Sequence, residues 1–151
     1  MTRIFVDADA CPVKDEIYRV AARYELRVVL VANRWMRTPP DPSIELVEVG
    51  SLFDDADDWI AENVGERDIV VTSDIPLAGR CLAKGARVVD PRGRCLTEDD
   101  IGSALAMREL FSHLRDLGEL TSSGPKPFGP RDRSAFLQVL DELINAIRRG
   151  R

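Results

Sequence analysis

The sequence predicts a three-layer α/β fold: about five mainly parallel strands with helices on both faces, and two further helices at the C-terminal end. Three observations carry this expectation. Short runs rich in Val and Ile recur at residues 4–6, 28–32, 44–49, 69–72 and 86–89, each of strand length. Segments with apolar residues at helical spacing separate most of these runs, and strands that alternate with helices pair in parallel through right-handed crossovers. At 151 residues, with 44% hydrophobic and 31% charged content, the chain has the size and balance of one globular domain that buries a core without disulfides or structural metal.

The first strand, residues 4–6, runs straight into Asp7-Ala8-Asp9-Ala10-Cys11-Pro12. Residues 12–24 then carry Val13, Ile17, Val20 and Ala21 at helical spacing, with Pro12 suited to the first turn. After the strand at 28–32, residues 33–43 hold Arg34, Trp35 and Arg37 together with Pro39, Pro40 and Pro42, a surface loop with exposed basic and aromatic groups. Trp35 is expected to pack against the sheet edge, with stacking on a base as the alternative. The strand at 44–49 precedes a helix over 53–63. The strand at 69–72 precedes a helix over 75–84, closed by Gly85, and the strand at 86–89 completes the sheet.

The first C-terminal helix starts at Thr97, with Asp100 at near capping-box spacing, and bears Ile101, Ala104, Leu105, Leu114 and Leu117 on one stripe. The second runs from about Arg133 through Phe136, Val139, Leu140, Leu143, Ile144 and Ile147. Both stripes read as core or partner contacts. Between them lies a Gly- and Pro-rich stretch, so residues 121–151 form a loop and a terminal helix within a single domain, 1–151.

Composition narrows the chemistry. Cys11, Cys81 and Cys95 have no Cys-x-x-Cys spacing and the one histidine is His113, so a disulfide framework, a zinc site and His-based catalysis are not expected. No apolar run approaches the roughly 18 residues of a membrane span, and the immediate first strand leaves no room for a signal peptide; a cytoplasmic location follows as the expectation. The net charge of −5 argues against unspecific coating of DNA. Lys126, Arg131, Arg133, Arg148, Arg149 and Arg151 against Asp132, Asp141 and Glu142 nevertheless give residues 121–151 a net charge of +3. An acidic body with a basic tail can hold metal in one part and phosphate in the other.

Side chains two apart on a strand share a face, so extended geometry would set Asp7 and Asp9 side by side, roughly 6.5 Å apart at Cα. Their repulsion, roughly 2–3 kcal/mol at a dielectric near 20, needs a cation, a proton or solvent to offset it. Mg²⁺ or Mn²⁺ would do so through carboxylate oxygens; the structural alternative is that Asp9 caps the next helix and Asp7 closes a turn. Further along, Thr72, Ser73 and Asp74 leave one strand and Asp90 leaves another. In a parallel sheet such ends share one edge, so Asp7, Asp9, Asp74 and Asp90 can converge. Structural explanations exist for these too: Asp74 as a helix cap and Asp90 before Pro91 as a turn opener. Asp54, Asp55, Asp57 and Asp58 stand at a helix start, where the dipole favours acids; of these, Asp57 or Asp58 is placed to reach the sheet edge.

Two chemistries suit such a pocket. A metal-dependent nuclease would hold Mg²⁺ or Mn²⁺ on the carboxylates. A phosphotransferase of the haloacid dehalogenase type would attack through Asp7, with Asp9 as acid and base and Thr72 or Ser73 on the phosphoryl group. Against the second, Ala10 stands where that superfamily has Thr or Val, and no Gly-Asp-x-x-x-Asp follows. A non-catalytic binding module with structural acids is the third possibility.

Several segments together resemble the YaiI/YqxD family of bacterial proteins: Val6-Asp7-Ala8-Asp9-Ala10-Cys11-Pro12-Val13-Lys14, Phe53-Asp54-Asp55-Ala56-Asp57-Asp58-Trp59-Ile60, and Thr72-Ser73-Asp74-Ile75-Pro76-Leu77-Ala78. Asp90-Pro91-Arg92-Gly93, Ala104-Leu105-Ala106-Met107-Arg108, Gly124-Pro125-Lys126-Pro127-Phe128 and Arg131-Asp132-Arg133-Ser134 extend the resemblance over nearly the whole chain. That family is grouped with PIN-like nuclease domains, which implies a Rossmann-like sheet, acids around Mg²⁺ or Mn²⁺, and RNA or single-stranded nucleic acid as the partner. By position, Asp7 matches the acid ending the first strand, Asp74 that after the fourth, Asp90 a later acid, and Asp57 or Asp58 the mid-domain acid. Asp9 would be a second ligand or a cap. Lys14, Arg92, Lys126, Arg131 and Arg133 become candidates for phosphate contacts, with pairing to surface acids as their structural alternative.

Overall fold

In a computed structural model of the chain, which describes residues 1–52, 54–116 and 127–150, six strands form one sheet in the order β3-β2-β1-β4-β5-β6. They are β1 (Arg3–Asp7), β2 (Arg27–Ala32), β3 (Ile44–Glu48), β4 (Ile69–Val71), β5 (Arg87–Val89) and β6 (Cys95–Leu96). The first five run parallel, and β6 pairs antiparallel to β5. The helices are α1 (Lys14–Tyr24), α2 (Asp55–Asn63), α3 (Ile75–Ala83), α4 (Glu98–Asp116) and α5 (Pro130–Arg148).

The α/β class and the parallel pairing are those expected from the alternation. β1 lies at the centre, and its alternate residues feed two cores, as the pleat requires. Ile4 and Val6 pack with Ile17 and Val20 of α1 and Phe136, Leu140 and Ile144 of α5. Phe5 packs on the other face with Val29, Val70, Ile60 of α2 and Leu77 of α3. The result is three layers, helix–sheet–helix, with the register setting Val6 level with Leu30 and Val71.

Several expectations are corrected. The strand geometry ends at Asp7, because Ala8–Ala10 form a 3-10 turn; Asp7 and Asp9 therefore do not share a strand face. Pro12 precedes the first helix, which begins at Lys14. Strand β6 is an addition: two residues paired through a tight turn in which the Asp90 N–H donates to the Arg94 carbonyl at 2.9 Å and Gly93 N–H donates to the Asp90 carbonyl at 3.0 Å. So short a pair leaves no periodic signal in sequence. Trp35 is 70% exposed, and Met36 packs against the core in its place.

The helix α5 starts at Pro130, one turn earlier than its apolar stripe. Of the described residues in the stripe expected on α4, only Ile101 is buried and Leu105 is exposed, as are Met107, Leu110 and Phe111 elsewhere on the helix. Leu117, Phe53 and Lys126, with the stretch 117–126 as a whole, lie outside the described residues. No helix among the described residues is long and apolar enough to cross a membrane.

The β5–β6 turn is clamped against α5. Gly93 has φ +88°, and a Cβ there would stand 2.7 Å from the Ala135 carbonyl carbon and 2.8 Å from Phe136 N. Left-handed strain and overpacking against backbone add up, so Gly93→Ala is expected to destabilise the fold by about 2–4 kcal/mol. Urea unfolding measures this, and an unchanged midpoint would remove the clamp from the account.

Candidate active site

Chain direction reverses its course across the sheet between β1 and β4: β1 leads through α1 to β2 on one side, and β4 through α3 to β5 on the other. The carboxyl ends of these two neighbours form the topological switch point, where open α/β sheets leave a crevice. Asp7 ends β1, and Thr72, Ser73 and Asp74 follow β4. Thr72 is 2% exposed; its hydroxyl donates to Asp7 Oδ2 at 3.1 Å and accepts the Asp74 N–H at 3.0 Å. Asp74 Oδ1 in turn accepts the Leu77 N–H at 3.0 Å, capping α3. Both acids are thus held by short-range geometry, and Asp74 does serve as the helix cap.

Helix α2 brings its acidic run to the same edge and divides it. Asp55 Oδ2 accepts the Leu52 N–H at 3.1 Å, and Asp58 pairs with Arg80 at 2.7 Å. Asp54 and Asp57, three apart and therefore neighbours on the helix surface, line a cleft of about 480 Å³ with Ser73, Asp74, Pro76 and Arg108. Of the two mid-domain candidates, Asp57 is the one in the cleft and Asp58 is tied to an arginine. Asp57 is pushed up to about 6, first by burial and then by the charges of Asp74, Asp7 and Asp54, with Arg80 pulling the other way. Burial also raises Asp7, against the Thr72 hydrogen bond, and Asp74 and Asp9 raise it further.

The remaining candidates are spread around this cleft. Asp9 Oδ2 accepts the Asn33 N–H at 2.8 Å, so it fastens the end of β2 and caps no helix. Asp90 Oδ1 accepts the N–H groups of Arg92 and Arg94, at 3.0 and 2.9 Å, as a turn residue would. Asp90 and Arg92 line a second cleft with Ala10, Pro12, Pro91 and Phe128, and Ser73 borders both clefts. Lys14 Nζ donates to the Cys11 carbonyl at 3.1 Å. Arg92 pairs with Asp132 at 3.1 Å, and Arg133 pairs with Glu16 at 3.0 Å and donates to the Pro12 carbonyl at 2.7 Å. Arg131 is exposed in the first turn of α5, and Lys126 lies outside the described residues. Cys11 and Cys81 are buried free thiols that burial pushes up, Cys81 to about 11, which leaves neither a nucleophile at neutral pH.

The family described as "Uncharacterized BCR, YaiI/YqxD family" matches residues 5–146. The chain belongs to the YaiI/YqxD family. It is 58% identical over 154 residues to a UPF0178 protein of Rhodospirillum centenum, covering 100% of both chains. A UPF0178 protein of Rhodopseudomonas palustris strain BisB18 is 58% identical over 149 residues, 99% of this chain and 96% of that one. One from Caulobacter sp. strain K31 is 55% identical over 149 residues, with 99% and 98% covered. No solved structure matches the chain.

Two cleft residues of this YaiI/YqxD chain were not singled out by sequence reasoning. Asp54 was taken with the helix-start acids, though its spacing from Asp57 sets both on one side. Arg108 sits within a helical pattern in the sequence and comes from α4 to line the acidic cleft. Its signal was present: it closes one of the segments that carry the family resemblance. Among the described residues, no group of three or more His, Cys, Asp or Glu stands together as a ready ligand set.

The raised carboxyls fix a pH dependence. A group whose folded pKa lies above its unfolded value weighs on stability once it ionises; the penalty is absent below the ordinary carboxylate range near pH 3.8 and grows until about pH 6. Asp57→Asn is therefore expected to raise the melting temperature at pH 7 and leave it unchanged at pH 3. A uniform shift at both pH values would show that Asp57 ionisation is not what strains the cleft.

Proposed function

We propose that the cleft at the switch point is the centre of a metal-dependent phosphodiesterase acting on RNA or other single-stranded nucleic acid. The observation that carries this reading is that three separate elements bring Asp7, Asp74 and Asp57 to one edge of the sheet, where burial first and neighbouring carboxylates second raise the proton affinity of Asp7 and Asp57. Such a pocket favours whatever brings positive charge into it.

The donor chemistry suits Mg²⁺ or Mn²⁺: carboxylate oxygens, with no imidazole or thiol. That no three ligating groups stand together among the described residues is compatible with this, since Mg²⁺ commonly takes one or two carboxylates and keeps several waters. Asp7 and Asp74 would hold the ion, both set in place by Thr72. When bound, a divalent cation supplies charge stabilisation for the displaced oxygen and a more acidic water. Asp57, at about 6, is matched to accepting a proton from an attacking water near neutral pH. Arg108 and the Ser73 hydroxyl line the same cleft and would orient the phosphate.

The phosphatase alternative is less well supported. A nucleophilic Asp7 would have only Oδ1 free for attack, because the Thr72 hydroxyl donates to Oδ2. Thr72 is too buried to meet a phosphoryl group.

Single-stranded RNA incubated with Mn²⁺ or Mg²⁺ is expected to be cleaved, and EDTA to stop it. Asp7→Asn, Asp57→Asn and Asp74→Asn should each lower kcat by about two orders of magnitude while the circular dichroism spectrum is kept. Undiminished cleavage by these variants would sink the proposal. Arg108→Ala should raise KM more than it lowers kcat.

A further inference from the structure

The second cleft, of about 360 Å³, has a different character from the acidic one. Its walls are Ala10, Pro12, Pro91 and the Phe128 ring, with Asp90 and Arg92 as its charged residues and Ser73 on the side shared with the acidic cleft. The walls are locked to one another. The Arg133 guanidinium lies 5.1 Å from the centre of the Phe128 ring and also donates to the Pro12 carbonyl at 2.7 Å. Arg92 lies 5.6 Å from the same ring and is held by Asp132 at 3.1 Å, whose Oδ2 also accepts the Gly129 N–H at 2.9 Å. Two guanidinium groups thus hold one aromatic ring as a fixed wall.

We infer that this cleft is a nucleobase subsite, which takes one unstacked base of a single-stranded nucleic acid whose phosphate lies at Ser73 beside the acidic cleft. The inference rests on the phosphodiesterase reading for the place of the phosphate. Flat, mainly apolar walls around a pocket of this size suit the faces of a heterocycle. The Arg92 guanidinium, shared with Asp132, and the Ser73 hydroxyl offer donors to its sugar–phosphate, and Ser73 borders both clefts. A base inside a duplex cannot enter such a slot without leaving its stack. Single-strand preference is then a consequence of the cleft's shape, and sequence preference should be weak, because stacking accepts every base.

The test is a calorimetric titration of the full chain in EDTA with adenosine 5′-monophosphate and, separately, with ribose 5-phosphate. The nucleotide is expected to bind at least about fivefold more tightly, the low end of one stacking contact. Ala10 is exposed in the 3-10 turn, and Ala10→Trp should fill the cleft and abolish that preference with the melting temperature kept. Equal affinity for the two probes, binding of neither, or a preference that survives in a folded Ala10→Trp would overturn the inference. Because EDTA removes any cleavage, the two readings fail separately. A base preference without metal-dependent cleavage overturns the phosphodiesterase, and cleavage without a base preference overturns the subsite.

Discussion

One hydroxyl holds the carboxyl edge of the sheet together. Thr72 donates to Asp7 at 3.1 Å and receives the Asp74 N–H at 3.0 Å, so the ends of β1 and β4 are cross-linked where the chain parts in two directions. A hydrogen bond to a charged group is worth about 1.5–3 kcal/mol. It does not win at Asp7, whose proton affinity is raised overall because burial outweighs it and the neighbouring acids add to burial. The fold thus positions Asp7 firmly while leaving its charge poorly compensated.

That arrangement depends on the sheet beneath it. Three residues in a row, Ile4, Phe5 and Val6, are fully buried, because helices cover both faces of β1. A strand buried on both sides has no freedom to slip, since a one-residue shift exchanges its two faces. The register that sets Val6 beside Val71 therefore brings Asp7 to the level of Thr72. From Asp74 the cap on α3 continues the chain of constraint, and α3 carries Arg80, which draws Asp58 of α2.

Much of this was legible in sequence, for identifiable reasons. β-branched runs such as 28–32 and 69–71 mark strands buried on both faces, and their order with the helices implies the shared edge. The division of labour in the acidic run was not legible. Whether Asp57 or Asp58 faces inward depends on Arg80, 22 residues beyond Asp58, and on how α2 is rotated over the sheet. The relation of Asp9 to Asp7 was not legible either, because strand spacing holds only while the backbone stays extended, and it tightens into a 3-10 turn at Ala8. Arg108 closes a segment that carries the family resemblance, but its reach into the cleft depends on how α4 packs against α3, which helical spacing does not encode. The α4 stripe misled for the converse reason: periodicity shows that residues share a face, and tertiary packing decides whether anything covers it.

The two ends of the central strands show how the same fold treats an acid that is only structural. Asp68, at the opposite edge, is as buried as Thr72; its carboxylate accepts the Arg3 N–H at 3.0 Å, the Arg3 Nη2 at 2.8 Å and the Gly65 N–H at 2.8 Å. A guanidinium and two amides satisfy it, as a buried charge requires. At the carboxyl edge, Asp7 has a hydroxyl, and its next neighbours are further carboxylates. Arg80, close enough to lower the proton affinity of Asp57, is bonded to Asp58 instead. The same sheet thus pairs an acid fully at one end and leaves Asp7 and Asp57 under-compensated at the other, and such a local departure from the rules the rest of a fold obeys is what marks this edge as the candidate site.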